Sequence, residues 1–397
     1  MASERTSRPV PAPDTNGPRL ILLLVVLALT LLGFVMIYSA SSISAITEEG
    51  NQVSYLTDQL LFAVIGIAAA FVLWKVIPYR VWESNVIWIV WGVAVALLLL
   101  TALLGLTALG AQRWLMIGPI SLQPSEFVKI ALVLMAARLF SDLRAGMINT
   151  QSFIVQILLF VVAPTGFLFI TQSDLGTTAI IAAGVLGVMW LGEVPLRTML
   201  ITIAALAVFA VLAVVLSSYR GDRFLYLNPW NDGEGGQGAG YQIIHSYYAF
   251  AEGGIFGSGL GNSREKYLYL PESETDFIFA IIGEELGLFG ALLVIAAFLV
   301  MLWAGLRIAR AATDDFGTMI AGALTIMLVF QAFLNIGCAI GVFPTTGKPL
   351  PFISSGGSSL IASFMMVGII MAVSDDSAGK DIYERRREDL RVVRRAD

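Results

Sequence analysis

The sequence predicts an all-α polytopic membrane protein of about ten transmembrane helices, with one large extracytoplasmic loop between the seventh and the eighth. Three observations carry that prediction. Of 397 residues, 57% are hydrophobic and only 13% charged. The mean hydropathy is +0.81, and several stretches run close to the roughly 20 residues a helix needs to cross an apolar layer of about 30 Å. A soluble domain carries about a quarter charged residues, so this chain lacks the polar surface a soluble body of its size requires. Helices satisfy their own backbone in lipid, and apolar runs of this length are read as spans.

The first span, 20–40, follows a polar, Pro-rich segment 1–18 with Pro9, Pro11, Pro13 and Pro18. Ser39-Ala40-Ser41 resembles a cleavage site, but the run exceeds the roughly 7–15 apolar residues of a signal peptide, so it is read as a retained helix. The next spans are 56–77, 85–106, 124–140, 152–170, 174–192, 196–217, 277–306, 315–341 and 353–374, of which 124–140 and 174–192 are short or interrupted. An even number puts both ends on one side. Arg5, Arg8, Arg19, Lys380, Arg385, Arg386, Arg387, Arg391, Arg394 and Arg395 lie in the tails, and Lys75, Arg80, Arg138, Arg144, Arg197, Arg307 and Arg310 fall at the same side, whereas the loop 42–55 has no Lys or Arg. The positive-inside rule then places both termini in the cytoplasm. The domain organisation expected is a disordered tail 1–18, a membrane domain 19–374, and a charged tail 375–397, solvated as helix or coil.

The loop 218–275 is long enough to be functional or disordered. Phe224, Tyr226, Trp230, Tyr241, Tyr247, Tyr248 and Phe250 give it much to bury, which favours structure. No internal repeat is visible, which lowers the case for an inverted-repeat transporter.

Composition removes other classes. A net charge of −5 and a pI near 5.1 argue against a nucleic-acid partner. One cysteine, Cys338, excludes a disulfide framework or a Cys cluster. His245 is the only histidine and is read as a satisfied polar residue. No phosphate-cradling GxxxxGK[ST] or dinucleotide fingerprint is present.

Ionisable groups within the apolar layer cost about 2.5–3.5 kcal/mol each at mid-bilayer and usually face a cavity or a partner. Four blocks hold them, all at the outer side. In Gly110-Ala111-Gln112-Arg113-Trp114 and Gln123-Pro124-Ser125-Glu126-Phe127-Val128-Lys129, Glu126 and Lys129 stand i, i+3 and can pair on one helix face; either they neutralise each other, or Arg113 with Lys129 makes a cationic patch for an anionic headgroup. In Gln172-Ser173-Asp174-Leu175-Gly176-Thr177-Thr178, Asp174 either caps the next helix or walls the same cavity. Asp276 stands where the large loop enters a helix, with Glu284 about 80° around that helix and Glu285 nearly opposite. Finally, Pro344 to Ser359, including Lys348, Ser354 and Ser355, breaks regular helix, and irregular backbone at membrane depth is tolerated only when buried or lining a cavity.

These blocks, in this order and spacing, resemble the SEDS family (shape, elongation, division and sporulation) over about residues 20–374. Leu270-Pro271-Glu272 with Thr275-Asp276-Phe277-Ile278-Phe279-Ala280, Gly283-Glu284-Glu285-Leu286-Gly287, and Pro349-Leu350-Pro351-Phe352-Ile353-Ser354 with Gly356-Gly357-Ser358-Ser359 carry the resemblance. Gly261-Asn262-Ser263-Arg264-Glu265-Lys266 looks more like the FtsW or SpoVE branch than the RodA branch. Ser173, Glu274, His245 and Ser355 depart from the family pattern, where Pro, His, Gln and an aromatic are usual.

The resemblance implies a peptidoglycan glycosyltransferase in the bacterial cytoplasmic membrane. It would polymerise lipid II into undecaprenyl diphosphate-linked glycan at the outer face during division, with a class B penicillin-binding protein and other division-complex membrane proteins as partners. By the same resemblance Asp276 is the catalytic aspartate. Glycosidases need a second carboxyl to protonate a poor leaving group; a lipid diphosphate leaves readily, so one base suffices to take the acceptor's 4-hydroxyl proton, with inversion. Arg113 and Lys129, with Arg223, would hold the diphosphate charge, and Glu126, Asp174, Glu284, Lys348, Ser354 and Ser355 would line the substrate site. A divalent cation, magnesium or manganese, could share that charge, but its ligands are not legible. The competing readings are a lipid II flippase and a non-enzymatic division scaffold.

Overall fold

The fold was taken from a computed structural model, which describes residues 16–108, 111–117, 120–215, 228–238 and 240–393. Its helices are α1 (Asn16–Glu49), α2 (Ser54–Lys75), α3 (Val86–Leu104), α4 (Ser125–Arg144), α5 (Thr150–Ile157), α6 (Ala163–Gln172), α7 (Leu175–Leu191), α8 (Leu196–Val215), α9 (Tyr241–Gly253), α10 (Ile278–Arg310), α11 (Asp315–Ala339) and α12 (Gly357–Val393). Among the described residues, seven helical stretches are long and apolar enough to cross a membrane, α5 and α6 counting as one. That many spans make this a multi-pass membrane protein.

Burial sorts the helices. The most apolar stretches of α11 and α12 are 83% buried, against 22% for α2 and α3. The bundle is therefore built around α11, with α4, α7, α10 and α12 packed on it and α1, α2 and α3 towards the rim. Helix α4 fails a plain hydropathy test because it carries Glu126, Lys129, Arg138, Asp142 and Arg144, yet nearly every residue from Val128 to Phe140 is buried by neighbours. With no hydrophobic force between helices in lipid, close approach depends on small residues. Gly368 of α12 is one: a Cβ there would lie 2.5 Å from the Ala70 carbonyl oxygen of α2.

Four details depart from the sequence reading. The run 152–170 is one span only by way of a π turn at Leu158–Val162, followed by Pro164, between α5 and α6; a proline has no amide for the helical ladder, and such turns absorb the mismatch. The segment 105–123, read as loop, contains a three-stranded antiparallel sheet: β1 (Leu106–Ala108), β2 (Ala111–Ile117) and β3 (Ile120–Leu122), with Leu106 opposite Trp114 and Leu115 opposite Leu122. The eighth apolar run is broken, because Gly287 sits at φ 68°, ψ −171° inside α10. The last helix begins only at Gly357 and runs on to Val393, through much of what was read as the charged tail.

The end of the bundle where α1 begins is clamped by two aspartates of α12. Asp375 accepts from Lys75 (2.6 Å) and the Trp74 indole (2.7 Å) and pairs with Arg19 of α1. Asp376 pairs with Arg80 (3.1 Å) and accepts from Thr313 (2.8 Å). Tyr79 donates to Asp314 (2.6 Å), and burial pushes its hydroxyl up to about 12.

Candidate functional site

The site lies at the opposite end, where four distant stretches of chain meet. At the start of α4, Lys129 donates to Glu126 at 2.6 Å, and both side chains are fully buried. Lys129 also donates to the Gln331 side chain of α11 at 2.6 Å. Lys348, from the irregular segment between α11 and α12, reaches Asp174 at 2.8 Å and Glu126 at 3.4 Å, again fully buried. Asp174 keeps the capping role open to it in sequence: it accepts from the Thr177 amide (2.9 Å) and hydroxyl (2.7 Å) at the start of α7. Two carboxylates and two ammoniums thus balance. Any one of them alone would cost several kcal/mol to bury, and in pairs they hold α4, α7, α11 and the 340–356 segment together.

Above this layer stands Arg113, carried by β2. Its guanidinium donates to the carbonyls of Gln172 (2.9 Å) and Ser173 (3.0 Å). Ser173 has left-handed backbone (φ 49°, ψ 34°), which turns those carbonyls towards the arginine as α6 ends. A cation at a helix C-terminus is also favoured by the helix dipole. Lys129 lies a layer deeper with its charge matched, so of the two residues expected to form a cationic patch only Arg113 reaches the surface.

Asp276 lies in the 271–277 turn, half-buried, just before α10. Asn335 of α11 donates to the carbonyls of both Asp276 and Lys348, each at 2.9 Å. Ser354 donates to the Thr275 carbonyl at 2.6 Å while accepting from the Leu350 amide, and the Ser355 amide donates to the Glu274 carbonyl. The irregular segment is therefore laced to the turn that carries Asp276, and Ser354 and Ser355 do the lacing. Asp276, Phe277, Asn335, Cys338, Thr345, Thr346, Gly347 and Lys348 line a small hollow. Gly347, at φ 66°, is its open wall: the point where a Cβ would stand is 3.6 Å from Asp276 Oδ2 and 4.0 Å from Arg113 Nη1. The carboxylate and the guanidinium so face one place.

Glu284 and Glu285 have other contacts. Glu284 accepts from the Ser263 hydroxyl (2.6 Å) and the Arg264 amide; Glu285 accepts from Ser39 of α1 (2.6 Å) and Lys266 (3.2 Å). This second buried cluster fastens the 258–266 segment to α10 and α1. His245 pairs with Glu265 at 2.6 Å among Tyr241, Tyr248 and Tyr269. Arg223 lies outside the described residues. Sequence reasoning missed Asn335 and Gln331, although two amides at i, i+4 in an apolar run are a signal for a buried polar face.

A family model described as a cell cycle protein, covering FtsW, RodA and SpoVE, matches residues 19–379. The stage V sporulation protein E of Bacillus subtilis (strain 168) is 38% identical over 363 residues, covering 90% of this chain and 97% of that one. A probable peptidoglycan glycosyltransferase FtsW of Trichlorobacter lovleyi is 38% identical over 360 residues, covering 89% and 92%. Among solved structures, a chain of a peptidoglycan synthase complex that coordinates polymerization and crosslinking superposes with a TM-score of 0.70 at 26% identity, covering 90% of this chain and 97% of that one. The rod shape determining protein RodA of Thermus thermophilus superposes with a TM-score of 0.65 at 25% identity, covering 90% and 96%.

Proposed function

We propose, from the premise that the chain belongs to the FtsW, RodA and SpoVE family of cell cycle proteins, that it is a peptidoglycan glycosyltransferase that polymerises lipid II during cell division. The observation that carries this reading is the convergence of Asp276 Oδ2 and Arg113 Nη1 on the open side of Gly347.

The step is a displacement at the anomeric carbon of a lipid diphosphate-linked sugar. The acceptor's 4-hydroxyl oxygen forms the new glycosidic bond, the bond to the diphosphate oxygen breaks, and undecaprenyl diphosphate leaves with that electron pair. Asp276 takes the hydroxyl proton and releases it to water, and the configuration inverts. Arg113, preorganised by two carbonyls, faces the charge that grows on the leaving diphosphate. The neutral layer of Glu126, Lys129, Asp174 and Lys348 fixes that geometry from below. Among the described residues no three His, Cys, Asp or Glu side chains converge to hold a metal ion; a divalent cation bound to the diphosphate would share its charge with Arg113.

The topology proposed with it has ten spans, α5 and α6 forming one and α9 lying in the extracytoplasmic loop between the seventh and eighth. The contact of Arg19 in α1 with Asp375 in α12 supports both termini being on one side, and the basic tails support that side being the cytoplasm of a bacterial inner membrane. A class B penicillin-binding protein is the proposed partner, since the similar synthase complex couples polymerization to crosslinking.

Reconstitution in liposomes with labelled lipid II, with and without that partner, tests the reading. Glycan strands resolved on a gel are the expected product. Lipid II moving between leaflets without strands would make the chain a flippase, and neither activity would leave a scaffold.

A further inference from the structure

Helix α10 is not one rod. Its Gly287 break removes helical hydrogen bonds, and a segment from the large loop supplies replacements. The amides of Ser258 and Gly259 donate to the carbonyls of Glu284 (2.9 Å) and Glu285 (3.1 Å), and those of Leu288 and Phe289 donate to the carbonyls of Gly254 (2.9 Å) and Ile255 (3.2 Å). The 254–259 segment is thus docked through its backbone on both sides of the break.

Its two large apolar side chains, Ile255 and Phe256, face away from the protein. Phe256 is 85% exposed and Ile255 63%, and Leu260 is exposed beyond them. Phe289, bonded to Ile255, is 62% exposed, and Leu288, Leu292 and Leu293 continue the same apolar face down α10. From Arg310 to Gly287 the helix rises about 35 Å at 1.5 Å per residue, enough to cross a hydrocarbon layer of about 30 Å. The break therefore stands at the far edge of that layer. Helix α11 leaves the same turn at 311–314 and climbs about 30 Å from Asp315 to Asn335, which holds the Asp276 carbonyl. Measured along their helices from the shared 311–314 turn, Gly287 and the residue that holds Asp276 thus both lie about one hydrocarbon thickness away.

We infer that Ile255 and Phe256 are a membrane anchor, seated among the acyl chains at the edge of the outer leaflet, and that this anchor sets the depth of the broken helix whose entrance carries Asp276. The occupant is lipid because the two side chains extend the lipid-facing surface of Leu288, Phe289, Leu292 and Leu293 without a step. The assignment of the outer leaflet rests on the proposed topology; the burial of Phe256 in lipid does not depend on catalysis.

The test is nitroxide depth measurement on the full chain in phosphatidylcholine and phosphatidylglycerol vesicles. A spin label at Phe256→Cys is compared with labels at Leu292→Cys on the apolar face and Asn262→Cys on the polar loop; the native Cys338 is buried. The expected result is a ratio of oxygen to nickel-chelate collisions close to that at position 292 and severalfold above that at 262. A ratio equal to that at 262 would overturn the anchor. So would collisions suppressed for both reagents, which would mean that protein, a second copy of this chain, covers the site. Ile255→Cys provides the second reading if the Phe256 variant does not fold. No polymer formation by the native chain, with this depth pattern intact, would count against the glycosyltransferase reading and leave the anchor standing.

Discussion

Replacing Lys348 with Met is the most informative perturbation of the buried layer. Lys348 bridges Asp174 at 2.8 Å and Glu126 at 3.4 Å, with all three side chains at most 1% exposed. Its removal leaves two buried carboxylates with the Lys129 ammonium bound to Glu126 and none bound to Asp174, and breaking a buried pair in this way costs about 3–5 kcal/mol. Removing the second charge as well, in Lys348→Met with Asp174→Asn, relieves most of that cost: the amide oxygen still accepts from the Thr177 amide, and no buried charge is stranded. The double variant is therefore expected to be more stable than Lys348→Met alone, with a coupling of about 1–3 kcal/mol. Denaturant unfolding of native, single and double variants in one detergent measures it. A Lys348→Met protein as stable as native, or a double variant less stable than either single one, would refute the argument that these charges hold the site by mutual compensation.

Arg113→Lys keeps the charge and loses the fork that grips the Gln172 and Ser173 carbonyls. Charge-assisted hydrogen bonds contribute about 1.5–3 kcal/mol, so kcat/KM for lipid II should fall roughly ten- to a hundredfold, read from steady-state polymerisation. Asn335→Ala removes the two bonds that fix Asp276 against Lys348; at about 0.5–1.5 kcal/mol each, kcat should fall roughly five- to a hundredfold with KM unchanged, whereas a purely structural role would lower the melting temperature and leave kcat of the folded fraction alone. Asp232, held down to about 2 by the amide of Gly236 and then those of Glu234, Gly240 and Gly238, favours the ordered turn only while ionised. That contribution is complete above the ordinary aspartate value of 3.8 and is lost as the pH falls through about 2, so NMR titration of its carboxyl should show a midpoint near 2, and a midpoint near 3.8 would contradict the turn.

The apolar runs were legible because the bilayer imposes one length and one polarity on every span. The Glu126–Lys129 pair and the Asp174 cap were legible for the same kind of reason: both are local, three residues apart in sequence. What joined them was not. Lys348 meets Glu126 across 222 positions, and no pattern in either stretch announces the other. The sheet at 106–122 escaped because its strands are three to seven residues long, too short for alternation to stand out beside the apolar helices around it. The break in α10 escaped because Gly287 lies inside an apolar run read as one span, and its partners come from 254–259, far from it in the chain. Glu284 looked like a site residue for being charged and near Asp276 in sequence; its carboxylate in fact closes a structural cluster on Ser263 and Arg264.

Asp276→Asn tests the central claim most directly. The amide keeps the shape of the side chain and its place beside Gly347 but cannot accept the acceptor's proton, so it separates chemistry from architecture. In proteoliposomes supplied with lipid II and the partner penicillin-binding protein, the account predicts that the native chain makes glycan strands and that Asp276→Asn, folded and binding substrate as well as native, makes none. Strands formed by Asp276→Asn at the native rate would contradict it.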